Sequence, residues 1–229
     1  MSKNLFEHVF KILVAGEGGV GKTTLLLKYV NGTFCEDTSM TIGIQFHHKV
    51  LQQNDIEYSL QLWDFGGQDR FRFMLPNYAL GAKGALLLYD TTRMSTMDSL
   101  AEWVKICRTH DPGLPILFVG TKIDLVEDRS VPADMAKDYL KPLDMFDYIE
   151  VSSKTGENVE QAFQMLVQRI ADRVPHFPEH DVKTAPAPQP TTAPKPAPAP
   201  QPAGAPKPAP KPVAPQKPAP KPFVPTKPP

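Results

Sequence analysis

Cysteine is scarce in this sequence, since Cys35 and Cys107 are the only two among 229 residues. Their spacing matches neither a zinc site nor a disulfide framework, and unpaired thiols suit a reducing compartment. A long apolar run is also missing, because no stretch reaches the roughly eighteen residues that a membrane-spanning helix needs. The first residues have no secretory leader and no glycine for myristoylation. We therefore expect a cytoplasmic protein without a membrane span.

Acidic residues are missing from the last part of the chain. Residues 1–181 carry 18 Lys plus Arg against 25 Asp plus Glu, a net charge of −7, whereas residues 182–229 carry seven lysines and no acid. Of the 26 prolines, 19 lie between Thr184 and Pro229. Repeated Lys-Pro-Ala-Pro units lack large apolar side chains and many backbone donors, so they cannot build a core. We predict one folded domain at 1–174 and a disordered Pro/Ala/Lys-rich tail at 175–229.

The tail is compatible with more than one role. Its simplest role is that of a solubilising spacer. Its PxxP pattern, as in Pro212 to Pro215 beside Lys211, would alternatively suit the aromatic grooves of SH3 or WW domains. Its lysines are spread widely, and each is worth about 1 kcal/mol near an anionic surface. From the tail we therefore expect at most a transient contact with membranes.

A glycine-rich stretch near the start of the chain carries the strongest chemical signal. The sequence Gly16-Glu17-Gly18-Gly19-Val20-Gly21-Lys22-Thr23 follows an apolar run and precedes a helix-like run. Successive backbone N–H groups of such a loop surround a phosphate, while Lys22 reaches the β- and γ-phosphates and the Thr23 hydroxyl ligates Mg²⁺. The helix that follows adds the positive end of its dipole. The pattern predicts nucleotide binding.

Two later segments indicate which base is bound. Gly120-Thr121-Lys122-Ile123-Asp124 follows a strand-like run, and an ionised Asp124 can accept two hydrogen bonds from the N1–H and amine of guanine. Adenine offers no such pair of donors, so ATP is the weaker candidate. The stem of Lys122 would lie along the base, and Ser152-Ser153-Lys154 would offer a backbone N–H to the guanine O6. We expect a guanine nucleotide.

Hydrophobic patterning predicts the α/β fold class. Strand-like runs lie near 9–15, 44–52, 58–64, 84–89, 115–120 and 148–151, and helical patterns lie at 22–31, 95–109, 132–140 and 158–172. Their alternation favours a parallel sheet. The 44–64 stretch is too short to include a helix, so its two strands should form an antiparallel hairpin. Asn158 is expected to cap the last helix together with Gln161.

From about Phe10 to Ile170, these motifs resemble the Ras superfamily of small GTPases, and the Rab branch most closely. Asp64-Phe65-Gly66-Gly67-Gln68 is similar to the DxxGQ element of that family, and Thr41 is similar to its switch I threonine. The resemblance implies a three-layer P-loop NTPase fold. Such a fold has a six-stranded, mostly parallel sheet with one antiparallel edge strand and helices on both faces.

The resemblance also implies roles for individual residues. Gln68 would orient the attacking water, and the Gly67 N–H would contact the γ-phosphate, with Lys22 and Thr41 completing the catalytic set. Mg²⁺ would be held by Thr23, Thr41 and, through water, Asp64. Phe34 would stack against the base. The expected contacts to GTP or GDP are Gly18, Gly19, Val20, Gly21, Lys22, Thr23, Thr24, Phe34, Thr41, Gly67, Thr121, Lys122, Asp124, Ser152, Ser153 and Lys154.

Such a protein would be a slow, monomeric GTPase that switches between two states. The γ-phosphate would hold switch I at 34–42 and switch II at 65–76, and hydrolysis would release both. We expect GTPase-activating and nucleotide-exchange proteins as partners, together with effectors that contact the switches and an aromatic trio, Phe46, Trp63 and Tyr78. We expect no nucleic-acid partner. A scaffold that holds its nucleotide with little turnover and acts through the proline-rich tail is the alternative.

The chain departs from the Rab pattern at several positions. Phe65-Gly66 replaces the usual Thr-Ala, so we expect switch II to pack or move differently. Thr121 replaces the usual Asn, from which we expect a weaker tether between the base-reading loop and the phosphate loop. Arg70 and Arg72 are expected to be solvent-facing charges within switch II, and the alternative is that one of them supplies the catalytic arginine that an activating partner would otherwise add. The sequence ends in Lys227-Pro228-Pro229 without the prenylated cysteines of Rab proteins, so we expect no lipid anchor.

Overall fold

The computed structural model describes residues 8–35 and 40–173, apart from the side chains of residues 69–71. The predicted domain boundary at 174/175 and all expectations for the 175–229 tail lie outside these residues. The same holds for the central part of switch I and for the side chain of Arg70.

Six strands form one sheet in the described part of the chain. They are β1 (Val9–Gly16), β2 (Ile44–Gln53), β3 (Ile56–Phe65), β4 (Gly84–Asp90), β5 (Ile116–Thr121) and β6 (Asp147–Glu150). Their order across the sheet is β2-β3-β1-β4-β5-β6. Strands β2 and β3 are antiparallel, and the other neighbouring pairs are parallel. The predicted six-stranded sheet with one antiparallel edge strand is confirmed.

Local sequence explains both kinds of pairing. Every residue of β4 is buried, as expected for a parallel strand covered on both faces. The hairpin between β2 and β3 turns at Asn54 and Asp55, whose φ angles are 51° and 62°. Asn and Asp tolerate this left-handed backbone in two-residue turns. The turn fixes a register in which Gln53 lies opposite Ile56.

The α-helices lie between the strands and after the last one. They are α1 (Lys22–Asn31), α2 (Leu75–Tyr78), α3 (Leu100–Cys107), α4 (Ala133–Lys137) and α5 (Val159–Ala171), and three 3₁₀ turns cover Asp69–Met74, Met94–Met97 and Val126–Asp128. The predicted 95–109 helix is therefore a 3₁₀ turn followed by α3. Helix α2 and the turn before it were not predicted. Within the described residues, no helix is both long and apolar enough to cross a bilayer.

Each face of the sheet is covered by its own hydrophobic cluster. On one face α1 and α5 pack together, and the rings of Tyr29 and Phe163 stack with centroids 3.6 Å apart. On the other face α2 and α3 bury Leu75 and Trp103. This is the predicted three-layer arrangement. In such sheets, ligands bind beyond the carboxyl ends of the parallel strands, and the motif-bearing loops all leave the sheet there.

The predicted side-chain hydrogen bond at the start of α5 is wrong. Asn158 does occupy the N-cap position, but its side chain makes no capping hydrogen bond. Instead Asn158 adopts a left-handed φ of 56° and donates from its amide to the Glu150 carbonyl at 2.8 Å. The side chain therefore joins the start of α5 to the end of β6, and the loop between them carries Ser152-Ser153-Lys154.

Candidate functional site

The glycine-rich loop after β1 forms one wall of a surface cavity. Gly16 must be glycine, since its φ is 131° and a Cβ would lie 2.2 Å from the Leu88 carbonyl oxygen of β4. The cavity is lined by Gly18, Gly19, Gly21, Lys22, Thr23, Thr24, Met40, Thr41, Gly67 and Gln68. The structure thus brings residues of both predicted switches to the phosphate loop. Val20 is buried in the core instead.

Lys22 supplies the central cation of this cavity. Its ammonium donates to the backbone carbonyls of Gly16, at 2.8 Å, and Glu17, at 2.7 Å. Burial lowers the pKa of Lys22 to about 8, although the carboxylates of Asp64 and Glu17 act in the opposite direction. A buried ammonium whose direct partners among residues 8–35 and 40–173 are carbonyls is a strong attractor for an anion such as a phosphate.

Three oxygen-bearing side chains converge beside Lys22. The Thr23 hydroxyl lies 2.5 Å from the Thr41 hydroxyl and donates to Asp64 Oδ2 at 2.5 Å. Asp64 is fully buried, and its Oδ1 has no hydrogen-bond partner among the described residues. Burial raises the pKa of Asp64, and the hydrogen bond from Thr23 and the charge of Lys22 oppose this only in part. A cation would therefore favour the ionised carboxylate here.

This oxygen set suits magnesium better than a softer metal. In the described part of the chain, no three His, Cys, Asp or Glu side chains cluster as a metal site. Mg²⁺ does not need such a cluster, because it is typically held by one or two carboxylates together with phosphate oxygens and waters. The hydroxyls of Thr23 and Thr41 and the buried carboxylate of Asp64 meet that requirement.

A second cavity contains the residues expected to read the base. It is lined by Gly19, Gly21, Thr24, Phe34, Cys35, Lys122, Asp124, Leu125, Ser153 and Lys154. Three of these residues, Gly19, Gly21 and Thr24, also line the phosphate-loop cavity, so the two cavities form one continuous cleft. The buried Ser152 lies behind this cleft and donates from its hydroxyl to Asp124 Oδ1 at 2.6 Å. Ser152 therefore orients the carboxylate that would bind guanine.

Thr121 does form a tether, although its strength relative to that of an asparagine stays a prediction. Its hydroxyl lies 2.7 Å from the Val20 carbonyl of the phosphate loop and 2.9 Å from the Tyr89 carbonyl of β4, and both oxygens are positioned to accept its hydrogen bond. Thr121 is almost completely buried, so the contact is shielded from water. The threonine hydroxyl makes a direct link between the two loops.

The Phe65-Gly66 pair has a clear packing role. Phe65 is fully buried in the cluster formed with α2 and α3. The Gly66 N–H donates to the Gly43 carbonyl at 2.8 Å. A Cβ on Gly66 would lie 2.7 Å from the Gly43 oxygen and 2.9 Å from the Thr41 oxygen. The departure at Phe65-Gly66 thus lets the backbone at 41–43 close directly onto the start of switch II.

Arg72 is not the solvent-facing charge that was predicted. Its guanidinium forms ion pairs with Glu17 of the phosphate loop and Glu102 of α3, and it lies over the Trp103 ring at 4.9 Å. The Glu17 carboxylate also accepts hydrogen bonds from Ser99 and Trp103. Burial alone would raise the pKa of Glu17, but the Ser99 hydrogen bond and the Arg72 charge hold it below its usual value. Switch II is therefore tied to the phosphate loop and to α3.

The predicted aromatic trio lies together on the surface near β2 and β3. The Phe46 and Trp63 rings meet edge to face with centroids 5.7 Å apart, and the Trp63 and Tyr78 centroids are 6.1 Å apart. The Lys11 ammonium lies 4.0 Å from the centre of the Trp63 ring. Phe46 and Tyr78 are exposed, so the trio offers an apolar surface to a partner.

The sequence did not predict roles for Asp90, the last residue of β4, or for Arg93 in the turn that follows. Asp90 is buried, and its carboxylate forms an ion pair with the Lys122 ammonium at 2.7 Å. Arg93 reaches the phosphate loop, where it donates to the Gly18 carbonyl. The available signal for Asp90 was its place directly after the apolar run at 84–89. No local pattern indicated the reach of Arg93.

Comparisons with known proteins agree with the geometry. The sequence model of the Ras family matches residues 11–172. The chain is 37% identical over 177 residues to "Ras-related protein Rab-1" of Theileria parva, covering 76% of this chain and 80% of that protein. It is 38% identical over 189 residues to "Ras-related protein Rab-7b" of Bos taurus, covering 79% and 93%. It is 38% identical over 170 residues to "Ras-related protein RABA3" of Arabidopsis thaliana, covering 73% and 71%.

Proposed function

Because this chain belongs to the Ras family of small GTPases, with Rab-like relatives, we propose that its continuous cleft holds Mg²⁺-GTP. The protein is a GTP-binding and GTP-hydrolysing molecular switch, and the roles of its individual residues are the subject of this proposal. One observation carries it. The cleft has a carboxylate held by Ser152 at one end and the Thr23, Thr41 and Asp64 oxygens at the other.

At the base end, Asp124 would accept hydrogen bonds from guanine while the Ser152 hydroxyl holds its other oxygen. Lys122 and Phe34 line the same pocket and would enclose the base from its faces. Ser153 and Lys154 would contribute the loop that contacts the guanine O6. Because an adenine base would offer no pair of donors to the half-buried carboxylate, this arrangement favours GTP and GDP over ATP.

At the phosphate end, Lys22 and the N–H groups of residues 18–24 would bind the β- and γ-phosphates. Thr23, Thr41 and, through water, Asp64 would hold Mg²⁺. The Oδ1 of Asp64, which has no hydrogen-bond partner in the described part of the chain, supports this assignment. The metal, when bound, neutralises charge at the β/γ bridge.

Hydrolysis would depend on the loop that follows β3. Gly67 packs against the phosphate loop so closely that a Cβ would lie 2.4 Å from the Gly18 nitrogen, and its N–H would contact the γ-phosphate. Gln68 lines the same cavity and would orient the attacking water. Thr41 would sense the γ-phosphate from switch I. Loss of that phosphate would release the 34–42 and 65–76 segments.

We infer that the state of the switches controls binding of effectors at Phe46, Trp63 and Tyr78, in a Rab-like role in trafficking or signalling within the cytoplasm. Activating and exchange proteins would set its rates. Retention of Thr41, Gly67 and Gln68 favours this role over a scaffold with little turnover. The PxxP pattern of the tail supports a further docking function for SH3-like or WW-like domains.

Release of fluorescent GDP from the full-length protein tests the metal assignment. Wild-type protein should release GDP slowly in Mg²⁺ and at least about tenfold faster after chelation, because the metal holds the β-phosphate. Thr23→Ala should release quickly in both conditions. Thr109→Ala is the matched control, because its hydroxyl only contacts carbonyls of α3. A wild-type rate that does not respond to Mg²⁺ would overturn the assignment.

A further inference from the structure

Asp90 lies behind the base end of the cleft and lines neither of its two parts. It is the last residue of β4 and lies opposite Thr121 in the parallel pairing of β4 with β5. Lys122, the next residue along the chain, lines the base pocket. The strand register therefore brings the two side chains together, and Asp90 Oδ2 lies 2.7 Å from the Lys122 ammonium.

The Asp90 carboxylate is held in place from its other side. Its Oδ1 accepts from the Thr92 N–H at 2.9 Å and from the Thr92 hydroxyl at 2.7 Å. The backbone N–H of Asp90 donates to the Thr96 hydroxyl at 3.1 Å, and its carbonyl accepts from the Arg93 N–H at 3.0 Å. Asp90 is only 2% exposed. Oδ2 therefore faces Lys122 from a fixed position.

The carboxylate of Asp90 is kept in its ionised form. Burial alone would raise its pKa, but the hydrogen bonds from Lys122 and Thr92 hold the pKa of Asp90 below its usual value. Arg93 is a second cation near the same oxygen, with its Nε 4.0 Å from Oδ2. Because Lys122 is the nearer of the two cations, it is the side chain that the carboxylate orients.

Lys122 is a side chain that needs such a restraint. A lysine has a flexible stem of four carbons, and holding it in one arrangement costs conformational entropy. The side chain of Lys122 is 37% exposed, so packing alone does not fix it. Its backbone φ of 63° is left-handed, a conformation that residues other than glycine seldom adopt. The ion pair with Asp90 holds the stem of this residue along the wall of the base pocket.

We propose that Asp90 is a positioning residue for nucleotide binding, which acts through Lys122 by holding the lysine stem where it packs along the guanine base. The proposal rests on the proposed function of the cleft. A stem that is already held loses little freedom when the base binds, so the ion pair strengthens binding. Because GDP and GTP carry the same base, Asp90 should strengthen the binding of both nucleotides equally.

Affinities of the full-length protein for GDP and for a non-hydrolysable GTP analogue, both with Mg²⁺, test the proposal. Asp90→Asn keeps an acceptor oxygen for Thr92 but removes the charge that faces Lys122. It should weaken both nucleotides by a similar factor of about ten. Asp98→Asn, which changes an exposed side chain after the next 3₁₀ turn, is the matched loss of charge. It should change neither affinity by more than about twofold.

A second comparison shows whether Asp90 acts through Lys122. Lys122→Met keeps an apolar stem but cannot pair with the carboxylate. In that background, adding Asp90→Asn should change the affinity for GDP by less than about twofold, because the contact is already lost. An effect of Asp90 through the turn after β4, or through Arg93, would persist in the Lys122→Met background.

The outcomes separate this inference from the function on which it rests. A loss of affinity from Asp90→Asn that persists in the Lys122→Met background would overturn the inference, as would unchanged affinities in Asp90→Asn alone. Either result leaves the GTPase site intact. A wild-type protein that binds neither guanine nucleotide would instead overturn the proposed function.

A further variant keeps the test valid if Asp90→Asn folds poorly. Lys122→Arg retains a cation that can pair with Asp90, so it should bind GDP more tightly than Lys122→Met does. Equal affinities of Lys122→Arg and Lys122→Met for GDP would overturn the inference.

Discussion

The Thr121 hydroxyl on β5 lies 2.7 Å from the Val20 carbonyl in the phosphate loop, 101 positions earlier in the chain. This hydrogen bond joins the segment proposed to read the base to the segment proposed to bind the phosphates. It links the two ends of the cleft directly.

Removing the Thr121 hydroxyl should loosen nucleotide binding. Thr121→Val keeps the shape but leaves the buried Val20 carbonyl without its donor, which costs about 1 to 3 kcal/mol. We expect release of GDP about tenfold faster or more, measured by fluorescence of a labelled nucleotide. Thr121→Ser keeps the hydroxyl and should stay near the wild-type rate. A wild-type rate for Thr121→Val would rule out this tether.

Arg72 should contribute to the stability of the fold. Arg72→Leu leaves the Glu17 and Glu102 carboxylates without their cation, and we expect a loss of about 2 kcal/mol in the free energy of unfolding. For a domain of this size, that loss lowers Tm by roughly 4 to 8 °C. Calorimetry of the GDP-bound protein measures it. Arg173→Leu is the surface control. An equal loss of stability in Arg173→Leu and Arg72→Leu would show that the ion pairs of Arg72 do not stabilise the fold.

The Arg129–Glu150 pair should make stability depend on acid pH. Two hydrogen bonds of 2.8 Å from Arg129 lower the pKa of Glu150 below its usual value, with burial opposing and the Tyr148 hydroxyl assisting. Because the pKa is lower in the folded state, the unfolded chain binds more protons in this range. The stabilisation is therefore complete above the unfolded pKa of about 4.3 and is lost as pH falls through the folded pKa.

Urea unfolding at several pH values between 7 and 3 checks this expectation. The stability difference between wild type and Glu150→Gln should be largest near neutral pH and should shrink towards pH 3. Glu127→Gln, which changes an exposed side chain, serves as the control. A difference that stays constant across the whole range would show that the Glu150 charge does not contribute.

Asp124 should determine the choice of base. Asp124→Asn replaces one acceptor oxygen of the carboxylate by an amide that donates. One of the two guanine donors therefore loses its acceptor. We expect the preference for GTP over ATP to fall by about a hundredfold in a competition assay. Asp128→Asn, in the exposed 3₁₀ turn that follows, should leave the preference intact. If Asp124→Asn keeps the wild-type preference for GTP over ATP, Asp124 does not select the base.

The sheet could be predicted from sequence because its signals are local. Strand β4 is one unbroken apolar run, and the phosphate loop and the Asp124 segment are short motifs directly after strands. The parallel topology then brings the carboxyl ends of β1, β3, β4 and β5 to one edge of the sheet. The position of the cleft could therefore be predicted from the motifs that follow these strands. Helix α2 was missed because four residues are too few for a helical period to show.

The network around the cleft could not be predicted in the same way. Arg72 reaches Glu17 across 55 positions and Glu102 across 30, and Arg93 reaches Gly18 across 75. Such contacts depend on which loops the sheet brings together, and the residues have no local spacing pattern. Asn158 shows a different limit of prediction. Its local motif predicted the N-cap position correctly, but its side chain donates to the Glu150 carbonyl instead of capping the helix.

Single-turnover phosphate release from Mg²⁺-GTP tests the central claim most directly. The full-length protein should release phosphate slowly, and Gln68→Leu should bind GTP but release almost none, because the attacking water is no longer oriented. Gln52→Leu, on the exposed face of β2, should match wild type. Tightly bound GTP that the wild type hydrolyses no faster than Gln68→Leu would contradict a GTPase switch built on Gln68.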